Sequence, residues 1–153
     1  MIEPTSLFVK VRPTPPGEGS VEDHARIARQ HGAVWWGRWT TSTENRQQMI
    51  DAISDQILRG LPVWLLIRNA TERIEYRARL LQIEAPNFQP PAQLVPAYRN
   101  SPSVDMWLKL SNFETLTDQW IANNTVYARG KLKGQPMTYA GNQALRYATI
   151  TSP

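Results

Sequence analysis

Three of the six tryptophans in this chain fall within five residues, in Ala33-Val34-Trp35-Trp36-Gly37-Arg38-Trp39. Successive side chains of a strand alternate. A short strand here therefore points Trp35, Gly37 and Trp39 to one side and Val34, Trp36 and Arg38 to the other. Two indoles flanking a glycine leave a flat gap with apolar walls, the shape a planar ring needs for stacking. Arg38, close by, is placed to meet a phosphate or a carboxylate. The competing reading is packing, with one face lining the core and the other covering a neighbouring element, since large aromatics dominate most cores.

Other residue types that do chemistry are sparse. His24 and His31 stand seven apart, so on a helix they share a face about two turns apart, too far for a paired metal site; they read as packing or surface histidines. No phosphate loop of the glycine-lysine-serine kind and no nucleophile elbow occurs. Asp105 and Lys109 lie on one strand-like segment four apart, with nothing beside them to make a nuclease site. The expectation is a protein that is no enzyme and needs no metal or cofactor.

Composition sets the frame for these residues. A length of 153 residues suits one domain, and a hydrophobic share of 41% with 20% charged residues is ordinary for a globular protein. The net charge is +4 and the sequence pI about 9.7, with arginine far commoner than lysine. Arginine binds phosphate through a planar fork and stacks on rings, so the balance is compatible with nucleic-acid or nucleotide ligands. Zero cysteines rule out disulfides and a thiolate zinc site and fit a cytosolic protein. The start, Met1-Ile2-Glu3-Pro4-Thr5-Ser6, lacks the basic and apolar regions of a signal peptide. No apolar run approaches the roughly 20 residues of a membrane helix, so no membrane partner is expected.

The elements that must position the tryptophans follow from periodicity. Ser6 to Arg12 alternates as a first strand, and the proline- and glycine-rich stretch 13–19 breaks it. Ser20 caps a helix over residues 20–31, with Asp23 in a capping-box position and Gly32 as its stop. A second helix over 43–59 buries Met49, Ile50, Ile53 and Ile57 and ends at Gly60. Leu61 to Ile67 reads as a buried strand. Ile74 to Glu84 returns as a long one, with Ile74, Tyr76, Ala78, Leu80 and Gln82 on one face. Residues 85–103 are irregular and proline-rich, long enough to be a functional loop or lid. Val104 to Leu110 is a further strand, Ser111 to Leu116 a short helical turn, and Leu145 to Ile150 the last strand. The fold class is α+β, with five or six mostly antiparallel strands strongly bent into a small barrel and two main helices.

This element order, the Trp-Gly-Arg-Trp strand after a helix, and the Gly60-Leu61-Pro62-Val63-Trp64-Leu65-Leu66-Ile67-Arg68-Asn69 hairpin arm followed by Tyr76-Arg77-Ala78-Arg79 together resemble the PUA-like superfamily, nearest to its EVE and ASCH branches. Val104-Asp105-Met106-Trp107-Leu108-Lys109-Leu110 looks like the later strand that carries a pocket aromatic. The aromatic-rich first-strand phrase of EVE domains is missing, because this chain has Leu7-Phe8-Val9-Lys10. The resemblance implies a barrel that cups a nucleic-acid base, often modified and flipped, between aromatic walls. It also implies a recognition module fused to or working with a nuclease or motor domain of a bacterial defence system.

On that reading Trp35, Trp39, Trp107 and Tyr98 are the candidate walls, and Asn69, Ser111 and Asn112 the groups that hydrogen-bond the base edge. Arg38, Arg68, Arg77, Arg79 and Arg99 are the candidates for phosphate. A sensor of a small nucleotide would use the same residues. A protein-interaction module would instead use the tryptophans as an interface hot spot. Binding to DNA or RNA that weakens with salt separates the first reading from the other two.

Overall fold

The computed structural model describes residues 4–11, 14–38, 46–69, 74–98, 104–137 and 145–152. Within them the chain runs β1 (Ser6–Val11), α1 (Val21–His31), β2 (Val34–Arg38), α2 (Arg46–Leu58), β3 (Trp64–Asn69), β4 (Ile74–Glu84), β5 (Met106–Leu116), α3 (Trp120–Asn124), β6 (Thr125–Tyr127) and β7 (Arg146–Ile150), with a 3-10 turn over Ala92–Leu94 between β4 and β5. The strands form one seven-stranded sheet in the order β2-β5-β4-β3-β1-β7-β6.

The local signals act where the sequence places them. Ser20 accepts from the Asp23 N–H while the Asp23 carboxylate accepts from the Ser20 N–H, a complete capping box, and Gly32 closes α1 in the left-handed conformation. Met49, Ile50 and Ile53 form the buried stripe of α2, and Gly60 turns the chain away at φ +77°. Residues 43–45, the expected start of that helix, lie outside the described residues.

Both long helices cover one face of the sheet. The main core joins Val21 and Ala28 of α1 and the α2 stripe to Val9, Val34, Trp36, Leu65, Ile67, Leu80 and Leu108. On the opposite, outer face a smaller cluster of Phe8, Leu66, Ile121, Met137 and Ala148 gathers beneath α3. β1 therefore has a covered face on each side, and all its residues except Lys10 are buried.

Four expectations are corrected. The sheet does not close into a barrel among the described strands, because the ladder ends at β2 and β6. It has seven strands in place of the expected five or six; the pairing is mostly antiparallel, as expected, with β1 parallel to β3 and α1, β2 and α2 between them in sequence. Ser111 to Leu116 is not a helical turn but the second half of β5. Arg77 pairs with Glu114 and Arg79 with Ser111, so three β5 residues span the interval of two on β4. That bulge holds Asn112 at φ +52° and hides the period of two. A second bulge at Leu81 reverses the phase of β4, so Ile83 enters the core and Gln82 faces outward, the reverse of simple alternation.

Candidate nucleic-acid interface

Position 37 is where the aromatic groups converge. Gly37 of β2 sits directly opposite Trp107 of β5. A methyl group at residue 37 would lie 3.0 Å from the Trp107 ring and 2.9 Å from Val104 Cγ2. The gap beside Trp35 is thus occupied by the chain's own indole from the next strand. Two residues back, Trp35 is 3% exposed. It packs against Phe88 at 4.4 Å between ring centroids, and the Lys109 ammonium stands 5.9 Å from its ring.

Tyr98 approaches the same glycine from the proline-rich segment. Its hydroxyl accepts the Gly37 N–H at 3.1 Å and meets His24 Nε2 at 2.8 Å. His24 Nδ1 is 2.7 Å from the Ser20 carbonyl, which only accepts, so Nδ1 carries the proton. In the neutral imidazole Nε2 then accepts the Tyr98 hydroxyl proton. The ring is fully buried and stacks on Trp36 at 4.0 Å. His24 is therefore a packing histidine with a positioning task.

What holds this relay is a carboxylate. Asp23 Oδ2 accepts from the N–H groups of Gly17, Gly19 and Ser20 at 2.8, 3.2 and 3.1 Å. Burial pushes the Asp23 carboxyl up, but these hydrogen bonds and that of the Ser20 hydroxyl outweigh it and hold the group below the ordinary carboxylate value. The turn they fix carries Gly19 beneath the Tyr98 ring, where a methyl group would overlap the aromatic carbons.

Along the outer face the pairing register continues the pattern. Trp35 on β2 is opposite Lys109 on β5, while Ser111 on β5 is opposite Arg79 on β4, itself opposite Trp64 on β3. Arg77 lies 4.6 Å from the Trp64 ring and 5.6 Å from Trp120, and Arg79 lies 5.5 Å from Trp64. Arg77 also pairs with Glu114 at 2.9 Å. Among the described residues neither Arg79 nor Lys109 has a carboxylate partner.

The structure brings together only part of the candidate set. Trp107 and Tyr98 both touch Gly37, with Trp35 two residues back on β2, while Ser111 and Arg79 lie further along the outer face, past Lys109. Asn69 does not belong with them: it ends β3 on the helix side, buried, paired with Val11 and Ile74. Arg68 is also corrected, since both its Nε and Nη2 are committed to the buried Glu75 at 2.8 and 2.7 Å. Asn112 supplies the backbone turn of the β5 bulge. Trp39, Arg99 and the side chain of Arg38 lie outside the described residues. Sequence reasoning passed over Phe88, Trp64, Trp120 and Lys109; a two-strand register across the 64–79 hairpin would have set Trp64 against Arg79.

A cavity of about 200 Å³ lies elsewhere, on the helix side, lined by Glu22, Ala25, Arg29, Tyr76 and Phe113 among others. Among the described residues no group of three or more His, Asp or Glu comes together to hold a metal. None of their helices is long and apolar enough to cross a membrane.

A mixed sheet with its two long helices on one face, and the short α3 beside a cation–indole stripe on the other, defines an α+β domain. The Pua-like family matches residues 7–138, and the chain belongs to that family. No curated protein matches it. Among solved structures the chain is similar to the YTH domain of the Zygosaccharomyces rouxii MRB1 protein, crystallised with N6-methyladenosine RNA. Sequence identity is 10% and the TM-score 0.47, over 95% of this chain and 81% of that one.

Proposed function

We propose that the protein is a non-catalytic nucleic-acid-binding domain that reads an unpaired or modified base at the Trp35 end of the sheet. The observation that carries this is the Lys109 ammonium, without a carboxylate partner among the described residues, over the ring of Trp35 and next to the Gly37–Trp107 pair. Lys109 offers charge to a phosphate, and the half-buried indole of Trp107 beside it offers a ring to a base, while Trp35, buried against Phe88, backs the site. The Pua-like membership and the basic balance support the same reading. Trp39, Arg38 and Arg99 belong to the proposed site through their sequence position, Trp39 as a wall and the arginines toward phosphate. The proposal extends to a single domain acting in the cytoplasm beside a nuclease or motor domain of a defence system, as the family resemblance implies; the neighbouring coding sequence checks that part.

The test is fluorescence anisotropy on matched oligonucleotides with and without candidate modifications, at low and high salt. Binding should weaken as salt rises, through counterion release. Lys109→Gln should weaken all probes together, whereas Trp39→Ala should lower the preference for the favoured base. Absence of binding at low salt overturns the proposal. Saturable binding of a mononucleotide without salt dependence replaces it with a small-nucleotide sensor.

A further inference from the structure

The outer face carries a second feature, away from Trp35, that base reading does not use. Trp64 lies on β3, with Arg77 and Arg79 of β4 both over its ring, and Arg77 also over the ring of Trp120 of α3. Arg77 is neutralised by Glu114, which is half exposed; Arg79 is not neutralised by any described carboxylate. Ser111 stands opposite Arg79 and is two residues from Lys109 on the same strand. From Trp35 to Trp64 the path crosses β2, β5, β4 and β3, three strand spacings or about 14 Å.

We infer that this Trp64–Arg79–Arg77–Trp120 ledge is a track for a single-stranded nucleic acid, continuing from the base site. The inference rests on the nucleic-acid reading above and adds the substrate class and a second contact surface. In a duplex each base already has both faces stacked on its neighbours, and what a protein reads is groove edges, which a helix or a two-stranded ribbon enters. A sheet face reads a duplex by seating in an opened groove, which leaves its indoles no free base face to stack on. Indoles and guanidinium planes on a sheet suit unpaired bases, whose faces are free to stack, while the same guanidiniums meet the phosphates between them. Arg79 supplies the open charge on the ledge. Arg77, close to both indoles and tied to Glu114, supplies a held guanidinium plane.

The experiment measures anisotropy with fluorescein-labelled oligothymidylate and oligouridylate of about 12 nucleotides, and a blunt hairpin duplex of equal length, between about 50 and 200 mM salt. The wild type should bind at least one single strand about tenfold more tightly than the duplex, a factor worth about 1.4 kcal/mol. Arg79→Gln should reduce single-strand affinity and lower the salt slope by about 0.7, the share of one phosphate contact. Glu114→Gln, which frees the Arg77 charge, should raise single-strand affinity, a gain that misfolding does not produce. Equal affinity for duplex and single strand overturns the inference. So does a pattern in which Lys109→Gln weakens binding while Arg79→Gln and Glu114→Gln change nothing; that pattern leaves the base-site reading standing. Failure of the wild type to bind any probe overturns that reading and this one with it.

Discussion

At position 37 the absence of a side chain is what lets an indole from β5 approach β2 closely. Gly37→Ala would drive a methyl group against Trp107 and Val104, and overpacking of this kind costs about 1–3 kcal/mol. The expected outcome is a lower urea midpoint together with a shifted tryptophan emission, since Trp107 must leave the glycine. Tyr98→Phe tests the neighbouring contact. It removes the hydroxyl that Gly37 N–H and His24 Nε2 share, and stability should fall by about 1–3 kcal/mol with little change in burial. At this scale the sequence was legible for the glycine between indoles and for Tyr98 on a proline-rich loop. It was not legible for what would fill the gap, because Trp107 reaches Gly37 through a pairing between strands about 70 residues apart, set by the β2–β5 register.

Among the elements, α1 reads most directly from local chemistry, and its cap has a pH signature. The Asp23 carboxyl is held below its unfolded value of about 3.9. It therefore stabilises the fold fully above that value, and the contribution is lost as pH falls through the lowered folded value. Urea midpoints measured from pH 7 to below pH 4 should drop for the wild type and converge on those of Asp23→Asn, which should be less stable at neutral pH and flatter below it. The short α3 depends on a tether. Glu75, buried on β4, takes Arg68 with one oxygen and the Ile121 N–H with the other, at 3.0 Å. Glu75→Ala leaves a largely buried guanidinium and the amide of a buried residue without it, for a loss of about 3–5 kcal/mol in thermal unfolding. Glu75→Gln should lose less, since its amide oxygen still accepts from Ile121. Caps gave α1 its limits and alternation gave those of β4, yet alternation misread residues 111–116, because a bulge with a left-handed asparagine breaks the pattern on which a strand is recognised.

For the whole molecule, fold class was legible and closure was not. Helix caps, buried stripes and strand alternation are short-range signals, and they suffice for α+β. Whether the first and last strands of a curved sheet meet depends on twist and on which strands neighbour which, and neither leaves a local mark. The parallel seating of β1 beside β3 is of that kind. The basic balance, also a whole-molecule property, acquires a location only when the register sets Lys109, Arg79 and the indoles on one face. Neutralising both cations at once, in Lys109→Gln/Arg79→Gln, should lower the salt slope for single strands by about 1.4, the share of two phosphate contacts, while leaving the circular dichroism spectrum unchanged.

The place of β1 in the ladder also governs how the chain acquires its shape. Its two neighbours are residues 64–69 on one side and 146–150 on the other. β1 is therefore made before both of its partners, and until they follow its apolar residues Leu7, Phe8 and Val9 have no sheet to enter. Such long-range closure slows folding relative to chains of local contacts and lengthens the exposure of an unpaired, apolar strand. The β3–β4 hairpin is a local pairing that forms without such a wait, and β1 docks once its partners exist.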